Sequence, residues 1–522
     1  MILKRLTLVI SHWVQTWIWH HSLQASVFLD IFLLSSNHRW LGILFQLSIL
    51  IITKNLSKMK KMKLYILSSI VALTVASCNI LEIDKIPELN SPTIESVLTN
   101  ASAVQIGQLG VGVQLAMRTS YYEFSWIAGS IGRETVIFNS TDSRYYTELL
   151  GASAISPSGI FYPWYNGFMA TRRRAEIFMR SADKSNDLSA AQKSAAKGFG
   201  KTVQAFAMLN ALNMMPEVGL RTTLTDLLTP DDLLNPGPFV DYNGSLTYCK
   251  QLCDEGAAAL DAGGSTFPFP IGTGLTSFST PAEFKKFNRA VAARIAMYQK
   301  DWAGMNAALT ASFLNLNGSL TAGPQFTYST ANGDATNAFF LATNSTNPLT
   351  VQKNWISDAE ANDKRVFGAN VRDGGVAKIK KRPAPIGLGG IAPNEFDFQP
   401  VATNTSPMSI IRNEELILMY AEAQLQAGTI ANAILAIDKI REAHGLAKLA
   451  IAKPTIIADK DKLIDEVLNQ RRYSLYLEGG HRWFDMRRYG KLALLPKDLA
   501  THNIISSFPK PQAEVDWDGR KK

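Results

Sequence analysis

The stretch Glu478–Gly490 reads EGGHRWFDMRRYG and combines one histidine, two carboxylates and three arginines with a tryptophan and a phenylalanine. His481 and Asp485 are four residues apart, so on a helix they would lie on the same face. The stretch is therefore either an active site or a structural device. The surrounding sequence has to decide between the two.

The residues around this stretch favour a structural role. An amphipathic pattern precedes it, and Gly479 and Gly480 indicate a turn. Charged groups in a buried turn must be paired, because an unpaired buried charge is strongly destabilising. We expect charged residues here to pair with one another, with Arg487 among them, and Trp483 and Phe484 to fill the scaffold. The predicted structural signature comprises Glu478, His481, Arg482, Trp483, Asp485 and Arg488. A catalytic pair of His481 and Asp485 is the alternative.

Helical periodicity recurs along most of the chain, so the sequence predicts a mostly α fold. Ser189 and Gln192 form a capping-box pattern, and Thr280 to Glu283 combine a cap, a first-turn proline and a reciprocal glutamate. Pairs of helices at this spacing indicate an irregular, tetratricopeptide-like helical-repeat scaffold. The predicted helices cover Pro163–Ala182, a segment from Ser189 to about Asn213, segments starting at Thr280 and Asp301, Asn413–Gly428, Ile430–Gly445 and Asp461–Gly480.

Residues 315–411 interrupt this pattern. They are rich in Gly, Asn, Thr and Pro and have little periodicity. A long stretch of this kind is usually functional or disordered. We therefore expect a helical-repeat region over 95–314, a loop-rich ligand-site insertion over 315–411 and a C-terminal region over 412–522.

The charge of the chain argues against a nucleic-acid partner. The formal net charge is +9, but eight basic residues and one acidic residue precede Cys78. The remaining chain has 45 basic and 43 acidic residues, so it carries no general excess of positive charge. Nucleic-acid binding is therefore not supported.

The segment Lys58–Cys78, KMKKMKLYILSSIVALTVASC, has the charged, apolar and small-residue regions of an export signal. Its last four residues resemble a bacterial lipobox, which implies that Cys78 is lipidated and becomes the new N terminus. We expect a lipoprotein signal peptide over 59–77 and a tether over 78–94. Residues 1–58 are interpreted as an over-extended start. The alternatives are an uncleaved anchor and a two-segment membrane anchor.

The sequence predicts no metal site, no cofactor and no enzyme motif. Cys249 and Cys253 lie on an apolar helical face and are interpreted as core residues, because neither a further cysteine nor a nearby histidine completes a zinc site. No H-E-x-x-H, nucleophile elbow or P-loop is present. A pair of glycosidase carboxylates stays open, since two acids suffice for that chemistry.

The C-terminal third resembles the SusD/RagB family of nutrient-uptake lipoproteins. The family's R-x-x-E…YAEA helix is similar to a segment starting at Arg412, and its (L/I)-N-x-(V/I)-R…GL segment is similar to one starting at Ile437. Gln470 to Gly490 resembles the ERR…EG-HRWFDL-R-G signature. Asp438 stands where the family usually has asparagine, and Gly480 is an additional residue.

This resemblance implies a SusD-like fold and a binding protein without catalysis. Such a protein would be lipid-anchored at the surface of the outer membrane, would capture an oligosaccharide and would deliver it to a SusC-like TonB-dependent transporter. A peptide ligand is the alternative within the family, and an exported glycoside hydrolase is the alternative outside it.

Sugar capture needs flat aromatic faces and planar polar groups. The weakly patterned stretches supply the candidate ligand-binding residues Tyr121, Tyr122, Trp126, Asp142, Arg144, Tyr145, Tyr146 and Trp355. We expect about two of these to contact ligand, because most aromatic residues pack into a core.

Overall fold

The computed structural model describes residues 94–223, 236–341, 347–368 and 378–520. The predicted signal peptide, Cys78 and the tether up to residue 93 lie outside the described residues, so these expectations stay predictions. Pro92–Lys522 forms one compact unit. In the described ranges, no helix combines the length and the apolar character that a membrane span requires.

Helices dominate the N-terminal part of this unit, which confirms the mostly α prediction. The helices α5 to α9 pack in chain order, each against the next, as expected for a helical-repeat scaffold. The N-terminal helices are α1 Ile94–Asn100, α2 Ala103–Arg118, α3 Tyr121–Ile131, α4 Arg144–Thr147, α5 Pro163–Lys184, α6 Ala190–Met214, α7 Tyr242–Asp261, α8 Pro281–Gln299 and α9 Trp302–Thr310.

The helix starts follow the capping residues that the sequence indicates. The capping box of Ser189 and Gln192 is complete at the start of α6. At the start of α8, Thr280 accepts a hydrogen bond from the Glu283 amide. The reciprocal glutamate contact expected there is wrong, because the Glu283 carboxylate accepts from Lys286 at 2.8 Å instead.

The insertion over 315–411 is poor in helix, as predicted, but it also contains short strands that the sequence did not indicate. Its helices are α10 Lys353–Ser357 and α11 Lys364–Phe367. An antiparallel sheet has the order β1-β5-β7-β6, and two further strand pairs are β2–β3 and β4–β8. The strands are β1 Thr135–Ile137, β2 Leu220–Arg221, β3 Phe239–Val240, β4 Gln325–Phe326, β5 Leu349–Val351, β6 Ile379–Ile386, β7 Asn394–Phe398 and β8 Met408–Ser409.

The C-terminal region returns to helices. They are α12 Asn413–Ala427, α13 Ile430–Ala443, α14 Leu449–Ala452, α15 Lys460–Ser474, α16 His481–Arg488 and α17 Gln512–Asp518. The predicted helix Asp461–Gly480 is therefore too long by one turn and a half, since α15 ends at Ser474.

A tight turn between α15 and α16 explains this early end. Leu477, Gly479 and Gly480 all have positive φ angles, which a continuing α-helix does not allow. At Gly480, φ is +74°, and an added Cβ would lie 2.4 Å from the Cβ of Ala128 in α3. Glycine is required there because both the backbone conformation and the packing exclude a larger residue.

The buried hydrophobic residues form three clusters whose members all lie between Val97 and Phe508. Cys249 and Cys253 are fully buried members of the largest cluster, as their apolar helical face predicts. A protein that begins at residue 79 therefore retains all the core residues found in the described part of the chain.

Candidate functional site

Asp485 is the centre of a buried network of charges in the signature stretch. Its carboxylate accepts hydrogen bonds from Arg471 Nε at 2.7 Å and from Arg488 Nε at 2.9 Å. Burial disfavours the charged form, but the two guanidinium groups outweigh it and lower the pKa of Asp485 to about 2. Asp485 therefore stays ionised and holds α15 and α16 together.

Arg488 extends the network to a third helix. Its Nη2 lies 2.7 Å from Oε2 of Glu422, which is fully buried in α12. Burial opposes the charge of Arg488, but Glu422 and Asp485 prevail and raise the pKa of its guanidinium. The charges alternate from Arg471 through Asp485 and Arg488 to Glu422, so each buried charge has an opposite partner.

His481 and Asp485 share a face of α16, but they contact each other only through Arg471. Nδ1 of His481 lies 3.2 Å from Arg471 Nη2, and Nε2 lies 3.8 Å from Oε1 of Glu415. Burial lowers the pKa of His481 to about 4, against the opposing effect of Glu415. His481 is 3% exposed and Asp485 is 1% exposed. This geometry favours the structural interpretation, because neither group is accessible to a substrate.

Glu478 pairs outside its own stretch, so the expectation of mutual pairing with the neighbouring arginines is wrong for this residue. Its carboxylate accepts from Arg412 Nε at 2.7 Å and from Lys378 Nζ at 2.8 Å. Burial opposes ionisation, but these two cations lower the pKa of Glu478 to about 2. The turn after α15 is thereby connected to Lys378 of the insertion, next to β6, and to Arg412, which directly precedes α12.

Arg487 and Arg482 also depart from the expected pairing. Arg487 donates to the carbonyl oxygens of Asn213 at 2.6 Å and Ser506 at 3.0 Å, and it lies over the ring of Trp483. Nε of Arg482 is buried and forms no hydrogen bond with a described residue. Burial lowers the pKa values of both guanidinium groups.

Trp483 and Phe484 fill the scaffold as expected. Trp483 is fully buried, and its Nε1 donates to the carbonyl oxygen of Ile505 at 2.8 Å. Phe484 is 2% exposed and stacks on Phe124 of α3, with ring centroids 6.0 Å apart. The stretch Glu478–Gly490 thus fixes α16 against the N-terminal helices.

Two of the candidate ligand residues, Tyr121 and Trp355, belong to the core. Both are 0% exposed. Tyr121 donates to the carbonyl oxygen of Glu478 at 2.9 Å, and Trp355 stacks on Tyr476 with ring centroids 4.4 Å apart. The expectation that they could contact ligand is wrong for this structure, because their rings have no accessible face.

Tyr122 and Tyr145 are half-buried aromatic residues that lie near each other at the surface. The Tyr145 ring stacks on Trp126, with centroids 5.5 Å apart and planes 13° apart, so Trp126 forms its buried floor. The Tyr122 ring meets Phe339 of the insertion edge-on at 5.0 Å. Burial, together with Glu123 and Tyr145, raises the pKa of Tyr122. The phenol groups therefore stay protonated and can donate hydrogen bonds.

Two further residues are Glu123, which follows Tyr122 on α3, and Tyr328 of the insertion, and the charge of Glu123 acts on the phenols of Tyr122, Tyr145 and Tyr328. Burial and the charge of Glu123 raise the pKa of Tyr328 to about 12, although Arg118, which lies 5.2 Å from its ring centroid, acts in the opposite direction. Sequence reasoning missed both residues. Glu123 follows directly after Tyr122, which was the available signal, whereas Tyr328 comes from the insertion and reaches this place only through the fold.

Asp142 and Arg144 supply an exposed polar edge. Arg144 donates to both carboxylate oxygens of Asp142, at 2.9 and 2.7 Å. Arg144 directly precedes Tyr145 on α4, and burial together with the Asp142 charge raises the pKa of Tyr145. We call Tyr122, Glu123, Asp142, Arg144, Tyr145 and Tyr328, with Trp126 beneath them, the aromatic ledge.

Tyr146 does not belong to the aromatic ledge although it follows Tyr145 on α4. Its ring packs on Phe138, with centroids 6.2 Å apart, in a separate cluster. An added Cβ at Gly389 would lie 2.7 Å from this ring. The structure therefore brings together five of the eight candidate ligand residues and separates Tyr121, Tyr146 and Trp355 from them.

Among the described residues, no group of three or more His, Cys, Asp or Glu side chains is arranged to hold a metal ion. The Asp518 carboxylate binds Arg221 and Lys510, and so it is occupied by cations of the protein itself.

Comparisons with known proteins agree with this architecture. Residues 393–521 match the family model described as the SusD family. A SusD-like protein of Formosa agariphila is 38% identical over 85 residues, which is 16% of this chain and only 17% of that relative.

Solved structures share the fold over a longer part of the chain. A SusD-like protein from Bacteroides fragilis is similar with a TM-score of 0.60 and 14% identity, covering 81% of this chain and 96% of its own. Surface glycan-binding protein A from Bacteroides thetaiotaomicron, solved with laminarihexaose, gives a TM-score of 0.57 at 14% identity and covers 80% and 98%. A laminarin-binding SusD-like protein gives 0.56 at 16% identity and covers 80% and 98%.

The signature stretch, the helical-repeat scaffold and the matched C-terminal region are all similar to those of SusD-like proteins. Residues 393–521 match the SusD family, and the described part of the chain has the fold of SusD-like proteins.

Proposed function

We propose that this protein is a non-catalytic lipoprotein of the outer membrane that binds an oligosaccharide and delivers it to a TonB-dependent transporter. The observation that carries the proposal is the aromatic ledge, which combines partly exposed phenols with a carboxylate–guanidinium pair at the surface of a SusD fold. Two structural relatives bind laminarin or laminarihexaose, which supports a carbohydrate as the ligand.

The chemistry of the aromatic ledge suits a sugar. Flat aromatic surfaces pack against the C–H faces of pyranose rings, while nearby planar polar groups bind the hydroxyls. Tyr145 is held by Trp126, so little rotational freedom is lost when a ligand stacks on it. Asp142 and Arg144 offer acceptors and donors next to that ring.

Tyr145 and Tyr146 provide a matched test of the site. A glycan array on the protein from residue 79 selects a ligand, and calorimetry then measures its Kd and any turnover. We expect Tyr145→Ala to weaken binding about tenfold or more, because truncating a tyrosine that anchors a partner costs about 2 kcal/mol or more. Tyr146→Ala, on the same short helix, should leave the Kd within about twofold.

Three results would contradict the proposal. Equal losses in Tyr145→Ala and Tyr146→Ala would place the ligand elsewhere, release of product would show an enzyme, and selective binding of peptides would show the peptide-binding alternative. The membrane and transporter parts are tested separately. Cys78→Ala should release the protein from membranes, and the native protein should co-purify with a large barrel protein.

A further inference from the structure

A second charged surface lies between α1, α5 and α6 and uses none of the residues of the aromatic ledge. It is an open groove of about 640 Å³, with Leu98 and Met179 among its lining residues. We call it the basic groove. Its five basic residues are Arg180, Lys184, Lys193, Lys197 and Lys201.

The basic groove has more positive charge than its own carboxylates can neutralise. Its two acidic residues are Glu176 and Asp183. Glu176 is occupied by Arg180 Nε at 2.7 Å and by Gln204 Nε2 at 2.9 Å. Lys201 pairs with Glu255, which lies outside the groove, at 2.9 Å.

Three lysines of the groove remain available to an external anion. Lys184 and Lys197 are exposed and form no ion pair with a described residue. Lys193 donates to the carbonyl oxygen of Asp183 at 2.8 Å, which leaves its positive charge without a carboxylate in hydrogen-bond contact among the described residues. Three such ammonium groups along one groove favour a ligand with several negative charges.

The position of the groove in the chain connects it with the membrane. Leu98 belongs to α1, the first described helix, which begins sixteen residues after Cys78. Sixteen residues span at most about 55 Å when fully extended. If Cys78 carries the lipid, as the proposed function holds, this end of the protein lies within that distance of the bilayer.

We propose that the basic groove binds the phosphate headgroups of anionic lipids in the membrane to which the chain is anchored. This inference rests on the proposed lipid anchor. Lysines near an anionic membrane surface contribute attraction that falls off within about one Debye length, so the groove acts only when it lies close to the headgroups. A lipid tether alone leaves the protein free to rotate, whereas a second contact through the groove fixes its orientation.

Vesicle binding by the unlipidated protein tests the groove directly. The protein from residue 79 is sedimented with vesicles of phosphatidylcholine alone or with added phosphatidylglycerol, at low ionic strength. We expect binding only to the anionic vesicles. The triple variant Lys184→Gln, Lys193→Gln and Lys197→Gln should weaken it about 100-fold, since each lysine near the surface contributes about fivefold.

A matched triple variant controls for net charge. Lys250, Lys285 and Lys286 lie on α7 and α8 and pair with Asp254, Asp261 and Glu283. Their replacement by glutamine removes the same charge and should change vesicle binding less than about threefold. Equal losses in the two triple variants, or equal binding to neutral vesicles, would overturn the proposal.

Inorganic phosphate distinguishes a lipid site from a site for the free ion. Millimolar phosphate at constant ionic strength should not displace the protein from vesicles, and displacement would overturn the assignment to lipid. The vesicle assay needs neither Cys78 nor a glycan. Retention in membranes of Cys78→Ala combined with the triple lysine variant of the groove would therefore contradict the anchor, while the vesicle assay would still report on the groove alone.

Discussion

The signature network and the aromatic ledge use polar residues in opposite ways. In the network around Asp485, charged side chains are buried and paired with one another. On the ledge, phenols and the Asp142–Arg144 pair remain partly exposed. A dense cluster of residue types that are common in active sites can therefore serve only to neutralise charges that are buried. A ligand surface, in contrast, needs few polar groups.

Among the substitutions that test this comparison, the replacement of Asp485 should have the largest effect on stability. Asp485→Ala leaves Arg471 and Arg488 without their shared partner, so the free energy of unfolding should fall by about 3–5 kcal/mol. Denaturant titration measures this loss. The matched control is Asp465→Ala, which removes an exposed pair between α15 and Lys491, a residue that follows α16, and should cost less than about 1 kcal/mol. Similar losses in the two variants would show that burial does not distinguish the network.

The pH dependence of stability provides a second test of burial in the signature stretch, through His481. Buried His481 has a pKa of about 4 in the folded protein, against an ordinary value of 6.5. The unfolded chain therefore takes up a proton below pH 6.5 that the folded protein does not accept until about pH 4. Stability is complete above pH 6.5 and should fall by about 3 kcal/mol towards pH 4 from this residue alone.

Thermal unfolding between pH 7.5 and 4 measures this loss, and His481→Gln should flatten the curve in that window. Asp485 and Glu478, each with a pKa of about 2, lose their stabilising charge only at lower pH, below their ordinary values of 3.8 and 4.5. An unfolding temperature that stays constant from pH 7 to 4 would contradict the neutral, buried state of His481.

Substitution of glycine in the tight turn between α15 and α16 should lower the free energy of unfolding by a smaller amount. Gly480→Ala places a Cβ 2.4 Å from Ala128 in a left-handed backbone conformation and should cost about 2–3 kcal/mol. Gly490 has a similar φ of +66° but no atom within 4 Å of an added Cβ. Gly490→Ala should therefore cost only about 1 kcal/mol. Equal costs in denaturant titration would show that the contact with α3 contributes nothing.

The ledge should give the smallest change in stability. Asp142→Ala removes an exposed partner of Arg144 and should leave the unfolding temperature unchanged, because exposed ion pairs contribute little. Its Kd for the selected glycan should rise about threefold to tenfold through the loss of one hydrogen-bond acceptor. Asp465→Ala is the control and should not alter the Kd. If Asp142→Ala destabilised the protein and left ligand binding normal, the ledge would have a structural role and would not be the ligand site.

The helices were predictable because their signals are local. Ser189 with Gln192 defines the start of α6, and the apolar face that contains Cys249 and Cys253 is visible in the sequence. The end of α15 was missed, because the turn after it depends on Leu477 adopting a positive φ angle, which its residue type does not indicate.

The partners of the buried charges and the composition of the ledge were not predictable, since both depend on tertiary contacts. Glu478 finds Lys378 and Arg412, which are 100 and 66 residues away. Tyr328 of the insertion lies under Arg118 of α2, a contact that no local pattern encodes. Sequence reasoning therefore identified the aromatic types of the ledge but could not separate Tyr145 from Tyr146.

The pairing of β1 with β5 also has a kinetic consequence. Thr135 and Thr350 are joined by a hydrogen bond across 215 residues of sequence, while the helices of the scaffold make contacts between neighbours in the chain. Contacts at such separation form late in folding because the entropy of closing the loop must be overcome first. We therefore expect refolding chains to regain their helical circular dichroism before they regain ligand binding. The proposed ligand surface would then be the last part of this protein to fold.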